Sequence, residues 1–303
     1  MDIVRRPDLE AASVSFPEYI GTKIYPWLGK PQIAGKLYYQ KYKNDITAQY
    51  NRNHAALGDI SQNVIAANDV SFSTVEMRAR VAMSYSQRIG YGDDEHADLA
   101  QGRLAKRAYF NKAEALIAAQ VLNTTGAVDG TADPVSAIDE NVSLLRDCGQ
   151  GRVALVIANA TKIALKNNAV IKDRMKNTGL GAYDLKEIRN VGDYNLAAAL
   201  GVDEILTGKD AIWNSGAGKT NAALVVLPDE YEDPAESVQL GRLVYFMYTD
   251  STDDRFIMES WVNPINDSFV VDCKGLVQLQ EFNAELRKTI TLFADASDSS
   301  SSN

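Results

Sequence analysis

The chain has 303 residues, of which 46% are hydrophobic and 23% are charged, so it can bury a core and divide into about two structural units. Its net charge of −9, from 31 Lys plus Arg and 40 Asp plus Glu, argues against a nucleic-acid reader, because such proteins need clustered cations to displace counterions from phosphates. The longest apolar run, residues 222–227, is too short to cross a bilayer, and the N-terminus lacks an apolar signal segment. We therefore expect no membrane association, and a reducing cytoplasm as the compartment of the protein.

The first segment of the chain is expected to be extended. Residues 1–23 show only weak periodicity, and Pro7 and Pro17 interrupt any long helix. We therefore predict an N-terminal arm that needs another surface to lie on.

The next segment predicts a projecting loop made of two strands. The aromatic-rich KLYYQKY at residues 36–42 is typical of a strand. Apolar and polar residues alternate over residues 74–84, which is the clearest period-two pattern in the chain. Because the intervening polar stretch, 43–63, offers little to build a core, we expect the two strands to pair within an extended loop covering residues 24–90.

A single long helix is predicted over residues 94–122. The acidic residues Asp93, Asp94 and Glu95 stand where the helix dipole favours negative charge, and no proline interrupts the Ala-, Leu- and Lys-rich run that follows. At 1.5 Å per residue this helix would be roughly 40 Å long.

An α/β segment follows a Gly- and Thr-rich loop at 124–131. Asp133 before Pro134 predicts the N-cap of a helix that ends near Gly149. RVALVIA at 152–158 predicts a buried strand, and Asn159 is expected to cap a helix reaching about residue 176.

The rest of the chain predicts mainly strands. After an expected loop at 177–193, a short apolar helix should end at Gly201, and residues 294–303 form a polar tail that we expect to be disordered. The expected strands are 202–206, 222–227, 242–248, 256–262 and 269–272.

One stretch, WNSGAGKT at residues 213–220, ends like a phosphate-binding loop. Its Gly218, Lys219 and Thr220 match the last part of the pattern G-x-x-x-x-G-K-[ST], in which backbone amides and a helix N-terminus converge on phosphates. However, Trp213 occupies the position of the first glycine, and a β-type run rather than a helix follows Thr220. The alternative interpretation, a turn between two strands with a solvated Lys219, is therefore favoured over a nucleotide-binding enzyme.

Other candidate chemistry is weak. His54 and His96 have no partner at metal-ligand spacing, and the acidic stretch 229–233 lacks the glycine and spacing of a calcium loop. Cys148 and Cys273 are far apart in sequence and form no C-x-x-C pair. We therefore assign no catalytic, cofactor-binding or metal-binding residues and do not expect an enzyme.

The order of these elements carries more information than any motif. Short phrases are spaced along the chain: IYP at 24–26 with GKLYY at 35–39, DE at 94–95, DP at 133–134 leading to RVALVIAN at 152–159, and ALGVDEILTG at 199–208. In this order and spacing they resemble the major capsid proteins of tailed bacteriophages over about residues 24–292.

The resemblance implies an α+β fold of the Hong Kong 97 type. Its expected parts are an N-terminal arm, an extended two-stranded loop, a peripheral domain with a long spine helix, and an α/β axial domain. The implied boundaries are 1–23 for the arm, 24–90 for the loop, 91–132 with 241–293 for the peripheral domain (spine helix 94–122), 133–240 for the axial domain and 294–303 for the tail.

The resemblance also implies a function in the virion capsid after assembly in the host cytoplasm. The chain would assemble with itself as hexamers and pentamers into an icosahedral shell around double-stranded DNA, with only weak non-specific contact with that DNA. A fused scaffolding segment has no room before the loop, so a separate scaffolding protein, or none, is implied, together with a portal and decoration proteins. Two alternatives stay open: an encapsulin-like nanocompartment shell, and a nucleotide-binding enzyme that uses Gly218, Lys219 and Thr220.

Overall fold

The computed structural model describes residues 3–11, 19–39, 68–147, 151–177, 193–228 and 238–293. The helices of these residues are α1 (Pro7–Ala11), α2 (Gly21–Ile24), α3 (Tyr85–Ile89), α4 (Asp94–Val121), α5 (Pro134–Asp147), α6 (Asn159–Lys166), α7 (Ala169–Asn177), α8 (Asp193–Ala199) and α9 (Asp210–Trp213), with 3-10 turns at Gly216–Lys219 and Ala284–Leu286. The strands are β1 (Val4–Arg5), β2 (Trp27–Lys30), β3 (Ala34–Tyr39), β4 (Asn68–Ser73), β5 (Val75–Ser84), β6 (Val128–Asp129), β7 (Arg152–Ala158), β8 (Glu204–Gly208), β9 (Asn221–Leu227), β10 (Gly241–Phe246), β11 (Ile257–Asn263), β12 (Ser268–Glu281) and β13 (Arg287–Thr291).

The described residues fall into two compact units. Unit 1 takes its residues from Met1–Lys36, Ser71–Ile117 and Arg242–Gln280. Unit 2 takes them from the intervening ranges, which are Leu37–Val70 and Ala118–Gly241, and from the C-terminal range Glu281–Asn303. Each unit contains its own sheet.

Unit 1 is built on a sheet in the order β1-β11-β12-β10-β2, with β5 also paired to β12. β12 is 14 residues long and pairs with three strands, β11, β10 and β5. β11 and β5 are both antiparallel to β12, whereas β2 is parallel to β10. The predicted strand at 269–272 is therefore only the first part of a much longer one.

The long helix α4 contributes a row of buried residues to the unit 1 core. It has 28 residues and is about 42 Å long, as the sequence predicts. Tyr109 and Phe110 pack against Phe256 with ring centroids 5.6 and 5.9 Å away. Gly275 allows this packing, because a Cβ there would lie 2.2 Å from the Tyr109 hydroxyl oxygen.

Residues 3–11 differ from the extended arm that the sequence predicts. β1 pairs with β11 at the edge of the unit 1 sheet, and α1 follows it directly. Leu9 in α1 is fully buried. This part of the N-terminus therefore packs on its own chain, because Leu9 provides an apolar anchor that the prolines do not disrupt.

The two strands expected to pair in the projecting loop have different partners in the structure. β3 pairs with β4, which the sequence analysis did not identify, and forms a separate two-stranded sheet. The strongly alternating β5 instead pairs with β12 over ten residues. The alternation in β5 thus arises because one of its faces covers the unit 1 core.

Unit 2 is built on a sheet in the order β6-β13-β9-β7-β8. β7 and β8 are parallel and are joined through helices, whereas β9 is antiparallel to both β7 and β13. All seven residues of β9 are buried, as are the last six of β7, so these strands form the centre of the unit. The strand predicted at 202–206 lies two residues later, at β8.

The two predicted helix caps of unit 2 have different outcomes. The Asp133 carboxylate accepts hydrogen bonds from the amides of Val135 and Ser136 at 3.1 Å, so the predicted cap of α5 is confirmed. Asn159 is instead the first residue of α6, and the amide of Ala160 donates to the carboxylate of Asp210, 2.9 Å away. The cap at α6 therefore comes from a distant residue that local spacing could not reveal, and the single helix predicted there is two helices, α6 and α7.

Several predictions lie outside the described residues. These are the polar stretch 43–63, nearly all of the loop 177–193, the acidic stretch 229–233, the tail 294–303, His54 and Cys148.

Candidate functional site

The phosphate-loop-like segment is a packed connection between β8 and β9. Trp213 ends α9 with 1% of its surface exposed. Its ring lies against Gly208, where a Cβ would be only 2.1 Å from the indole. The large side chain at the first glycine position therefore anchors the segment in the unit 2 core.

Several backbone amides of this segment already donate to nearby carbonyls. Gly218 N–H donates to the carbonyl of Ser215 at 3.0 Å, and Thr220 N–H donates to the carbonyl of Ala217 at 3.3 Å. The hydroxyl of Thr161 in α6 donates to the carbonyl of Gly218 at 3.0 Å. Because a phosphate loop needs free amides that converge on one point, this arrangement does not form one.

The elements after Gly218 also differ from those of a phosphate loop. Lys219 is exposed, and β9 begins two residues later instead of a helix. The nearby N-terminus of α6 is occupied by the Asp210 carboxylate. The turn that the sequence favours is confirmed, with the refinement that it contains two short helical turns.

The remaining candidate residues of the described chain have structural partners. His96 Nδ1 lies 2.7 Å from the Asp93 carboxylate, which also accepts the His96 amide hydrogen bond and so caps α4. These hydrogen bonds lower the pKa of Asp93. Cys273 is buried in unit 1, and burial raises the pKa of its thiol well above the usual value. Within the described ranges, no group of three or more His, Cys, Asp or Glu residues could hold a metal ion.

An ion-pair cluster connects three segments of unit 1 through Asp98 of α4. One carboxylate oxygen of Asp98 accepts from Arg6 at 2.7 Å, and the other accepts from Arg88 of α3 at 2.6 Å. Arg88 also pairs with Asp94 at 2.9 Å and lies 4.2 Å from the centroid of the Phe269 ring. Since the Asp98 and Arg88 side chains are 13% and 10% exposed, the cluster holds the N-terminal segment and α3 against α4 more strongly than surface ion pairs would.

A second polar cluster is buried under residues 3–11. The Glu10 side chain is fully buried and accepts hydrogen bonds from the Met258 amide at 3.0 Å and the Ser251 hydroxyl at 3.0 Å. Lys106 of α4 donates to the Glu10 backbone carbonyl, and burial lowers the pKa of its ammonium group. These bonds fix the N-terminal segment in position.

The base of the β3–β4 hairpin is closed by hydrogen bonds within unit 1. Both the amide and the hydroxyl of Thr74 donate to the carbonyl of Ile33, each at 2.9 Å. The neighbouring Ser73 amide donates to Gln278 of β12 at 2.6 Å. This closure could not be predicted from the sequence, because Thr74 looks like one more polar position of the alternating run and its acceptor is a backbone carbonyl.

The C-terminal end of α4 is held inside unit 2. The carbonyl of Val121 accepts from the Thr289 hydroxyl at 3.0 Å and from Arg287 at 3.4 Å, and the carbonyl of Leu122 accepts from Asn221 at 3.3 Å. A cation near the final carbonyls of a helix also complements the helix dipole. None of the described helices combines the length and hydrophobicity needed to span a membrane.

Comparisons with known proteins identify the fold. No protein-family model matches the chain, and no curated protein sequence matches it. A phage-related protein from Bordetella bronchiseptica RB50 is similar in structure at 16% identity, with a TM-score of 0.67 over 96% of this chain and 98% of that chain. The capsid structure of cyanophage P-SCSP1u matches at 9% identity, with a TM-score of 0.54 over 94% of this chain and 92% of that chain.

A virus-like particle from Pyrococcus furiosus also has a similar structure. It matches at 10% identity, with a TM-score of 0.52 over 94% of this chain and 96% of that chain. The chain therefore has the mixed helix-and-sheet fold of phage capsid structures, and the resemblance inferred from the sequence is confirmed at the level of the fold.

Proposed function

We propose that this chain is the major capsid protein of a tailed bacteriophage and assembles with itself into the shell of the virion. The observation that carries the proposal is the agreement of its fold with a phage capsid over 94% of this chain and 92% of the other. Agreement over nearly the whole length of both chains favours the same type of subunit over a shared local motif. The role is structural, not catalytic.

We further propose the domain layout of the Hong Kong 97 type. Unit 1, with α4 as its spine helix, corresponds to the peripheral domain, and unit 2, with its central β7 and β9, corresponds to the axial domain. The pairing of β13 with β9 supports placing the last described strand in the axial domain instead of the peripheral one. The β3–β4 hairpin is the base of the extended loop, which would lie over a neighbouring subunit.

The proposed assembly is an icosahedral shell of hexamers and pentamers around double-stranded DNA. The net charge of −9 supports a container that contacts its DNA only weakly, because an acidic wall gains little from phosphates. We propose a separate scaffolding protein, a portal and decoration proteins as partners, with assembly in the host cytoplasm.

Electron microscopy of the purified chain tests the proposal. We expect closed shells or ring-shaped capsomers, either from the chain alone or after co-expression with a candidate scaffolding protein. Monomers under every condition, including co-expression, would contradict a capsid function.

A nanocompartment shell of the encapsulin type is the second candidate. The similarity to the virus-like particle from Pyrococcus furiosus, at a TM-score of 0.52, supports this second candidate. The contents of purified particles distinguish the two: packaged double-stranded DNA supports the phage capsid, whereas a co-purifying enzyme without DNA supports the nanocompartment.

A further inference from the structure

Helix α3 of unit 1 has its apolar side chains on the outside. None of its five residues is buried, and Tyr85 and Ile89 are 67% and 66% exposed. These two residues are four positions apart, so they lie on the same face of the helix. An ordinary surface helix places such a face against the core.

Polar contacts hold α3 in this orientation. The Ser84 hydroxyl accepts from the Gln87 amide at 3.3 Å, and the Gln87 side chain accepts from the Ser84 amide at 3.0 Å, which together form a capping box. Arg88 is bound to Asp94 and Asp98. The exposure of the apolar face is therefore built into the fold and does not result from a loosely attached helix.

A second exposed apolar segment lies at the same end of the sheet. Ser84, which precedes α3, is opposite Ser268, so the turn joining β11 and β12 lies beside α3. This turn presents Ile265 with 88% of its surface exposed, and the adjoining Val262 is 57% exposed. The Ile265 amide donates to the Asn263 side chain at 3.1 Å, which fixes the turn.

We propose that these four side chains, Tyr85, Ile89, Val262 and Ile265, form a contact surface for another copy of this chain. We call them the end patch. The inference deepens the proposed capsid function and rests on it, since it names one of the surfaces through which the copies would associate.

The area of the end patch supports a contact between copies in a larger assembly. With about 200 Å² for the tyrosine and about 150 Å² for each aliphatic side chain, the exposed parts amount to roughly 450 Å². This is near the upper end of the apolar patches found on monomers, yet well below the roughly 800 Å² per partner of a stable two-protein complex. A surface of this size suits a weak contact that becomes stable when each copy makes several at once.

The charges around the end patch favour a second copy over a membrane or a nucleic acid. The only cation in α3 is Arg88, which is already bound by two carboxylates, and the turn at 263–268 contains no Lys or Arg. Anionic lipids and phosphates are attracted by free cations, which this surface lacks. The four side chains of the end patch carry no charge, and Asp267 is the one acidic residue of the turn, so copies that each carry a net charge of −9 meet less repulsion here than at a strongly acidic face.

The test compares single substitutions that introduce the same charge at equally exposed sites. Ile89→Lys and Ile265→Lys change the end patch, and Val75→Lys is the matched control, because Val75 is 68% exposed at the opposite end of β5. Sedimentation velocity over a range of concentrations gives the concentration at which half of the chain is assembled. We expect each patch variant to raise this concentration at least about tenfold, because a lysine would have to lose its hydration at the contact. The control should change it less than about twofold, and all variants should keep the wild-type unfolding midpoint.

The outcomes separate the two proposals. If the wild type assembles and both patch variants assemble equally well, the end patch is overturned and the capsid function stands. The same holds if Val75→Lys weakens assembly as much as the patch variants do. Open oligomers of the wild type that dissociate in Ile89→Lys would support the patch and contradict the shell, while a chain that never self-associates would overturn both. If the free chain co-sediments with anionic vesicles and Ile89→Lys abolishes this binding, the end patch binds a membrane and the proposal is also overturned.

Discussion

Replacing Trp213 by alanine tests whether the GKT segment has a structural role. The indole is 1% exposed and lies against Gly208 in unit 2. Removing about 200 Å² of buried apolar surface at about 25 cal/mol per Å² corresponds to roughly 5 kcal/mol. Measured losses for comparable truncations are about 3–5 kcal/mol, so we expect Trp213→Ala to reduce the free energy of unfolding by about 4 kcal/mol.

Lys219→Ala is the matched substitution in the same segment. Lys219 is exposed, so its loss should change the free energy of unfolding by no more than about 0.5 kcal/mol. Urea unfolding followed by circular dichroism measures both variants on the same scale, with the wild type as reference.

Two results would refute this reasoning. A cost below about 1.5 kcal/mol for Trp213→Ala would mean that the segment is not anchored through its indole. Micromolar binding of Mg-ATP by calorimetry that Lys219→Ala abolishes would restore the nucleotide-binding alternative, in spite of the internal amide bonds and the strand that follows Thr220.

Three further substitutions test contacts that support the proposed assembly surfaces. Thr74→Val removes one of the two hydrogen bonds at the base of the hairpin, so we expect the free energy of unfolding to fall by about 1 kcal/mol and the amide of residue 74 to exchange faster. Thr74→Ser keeps the hydroxyl and should restore both values. Unchanged amide exchange in Thr74→Val would contradict the closure. Asp98→Asn removes the carboxylate that Arg6 and Arg88 share, so the free energy of unfolding measured with urea should fall by about 2 kcal/mol. An unchanged free energy would show that the ion-pair cluster is solvated. For Asp133, hydrogen bonds from Ser136 lower the pKa in the folded state, so its stabilising contribution is present above the unfolded value of 3.8 and is lost as the pH falls through the lower folded value. The melting-temperature advantage of wild type over Asp133→Asn should therefore shrink below about pH 4, and a constant difference would contradict the assignment.

The sequence predicts local elements well where the signal is contained in neighbouring residues. The long helix was expected at 94–122 and is found at Asp94–Val121, because its acidic first turn and its unbroken run of helix-forming residues both act locally. The strand at 152–158 has the predicted bounds, since a fully apolar run between polar residues specifies a buried strand. Asp133 caps its helix as expected for the same reason.

Strand pairing and helix caps that come from distant residues could not be predicted from neighbouring residues. The alternation in β5 shows that one face is buried but does not name the partner, which is β12, almost 200 residues later. The cap at α6 comes from Asp210, about 50 residues away, and the closure of the hairpin uses a backbone carbonyl that no side-chain pattern reveals. Residues of the end patch were likewise hidden, because Tyr85 and Ile89 in a sequence look like ordinary core positions until the polar contacts of the helix are known.

In the described residues of each unit, nearly all buried polar side-chain atoms have hydrogen-bond partners. This limits which side chains remain available for association with another subunit. Among the side-chain nitrogen and oxygen atoms of the described residues, only Gln101 Oε1 and Asp272 Oδ1 are buried without a hydrogen-bond partner, and the segment expected to be a free arm is anchored by Leu9 and Glu10. Residues 3–11 are thus fixed on their own chain, while Ile3 and Val4 stay 58% and 53% exposed. Association through the described residues must then rely on side chains that the fold holds outward, and the polar anchors of α3 make Tyr85 and Ile89 clear examples. For this reason, a charge introduced at Ile89 should weaken assembly while leaving the folded subunit intact.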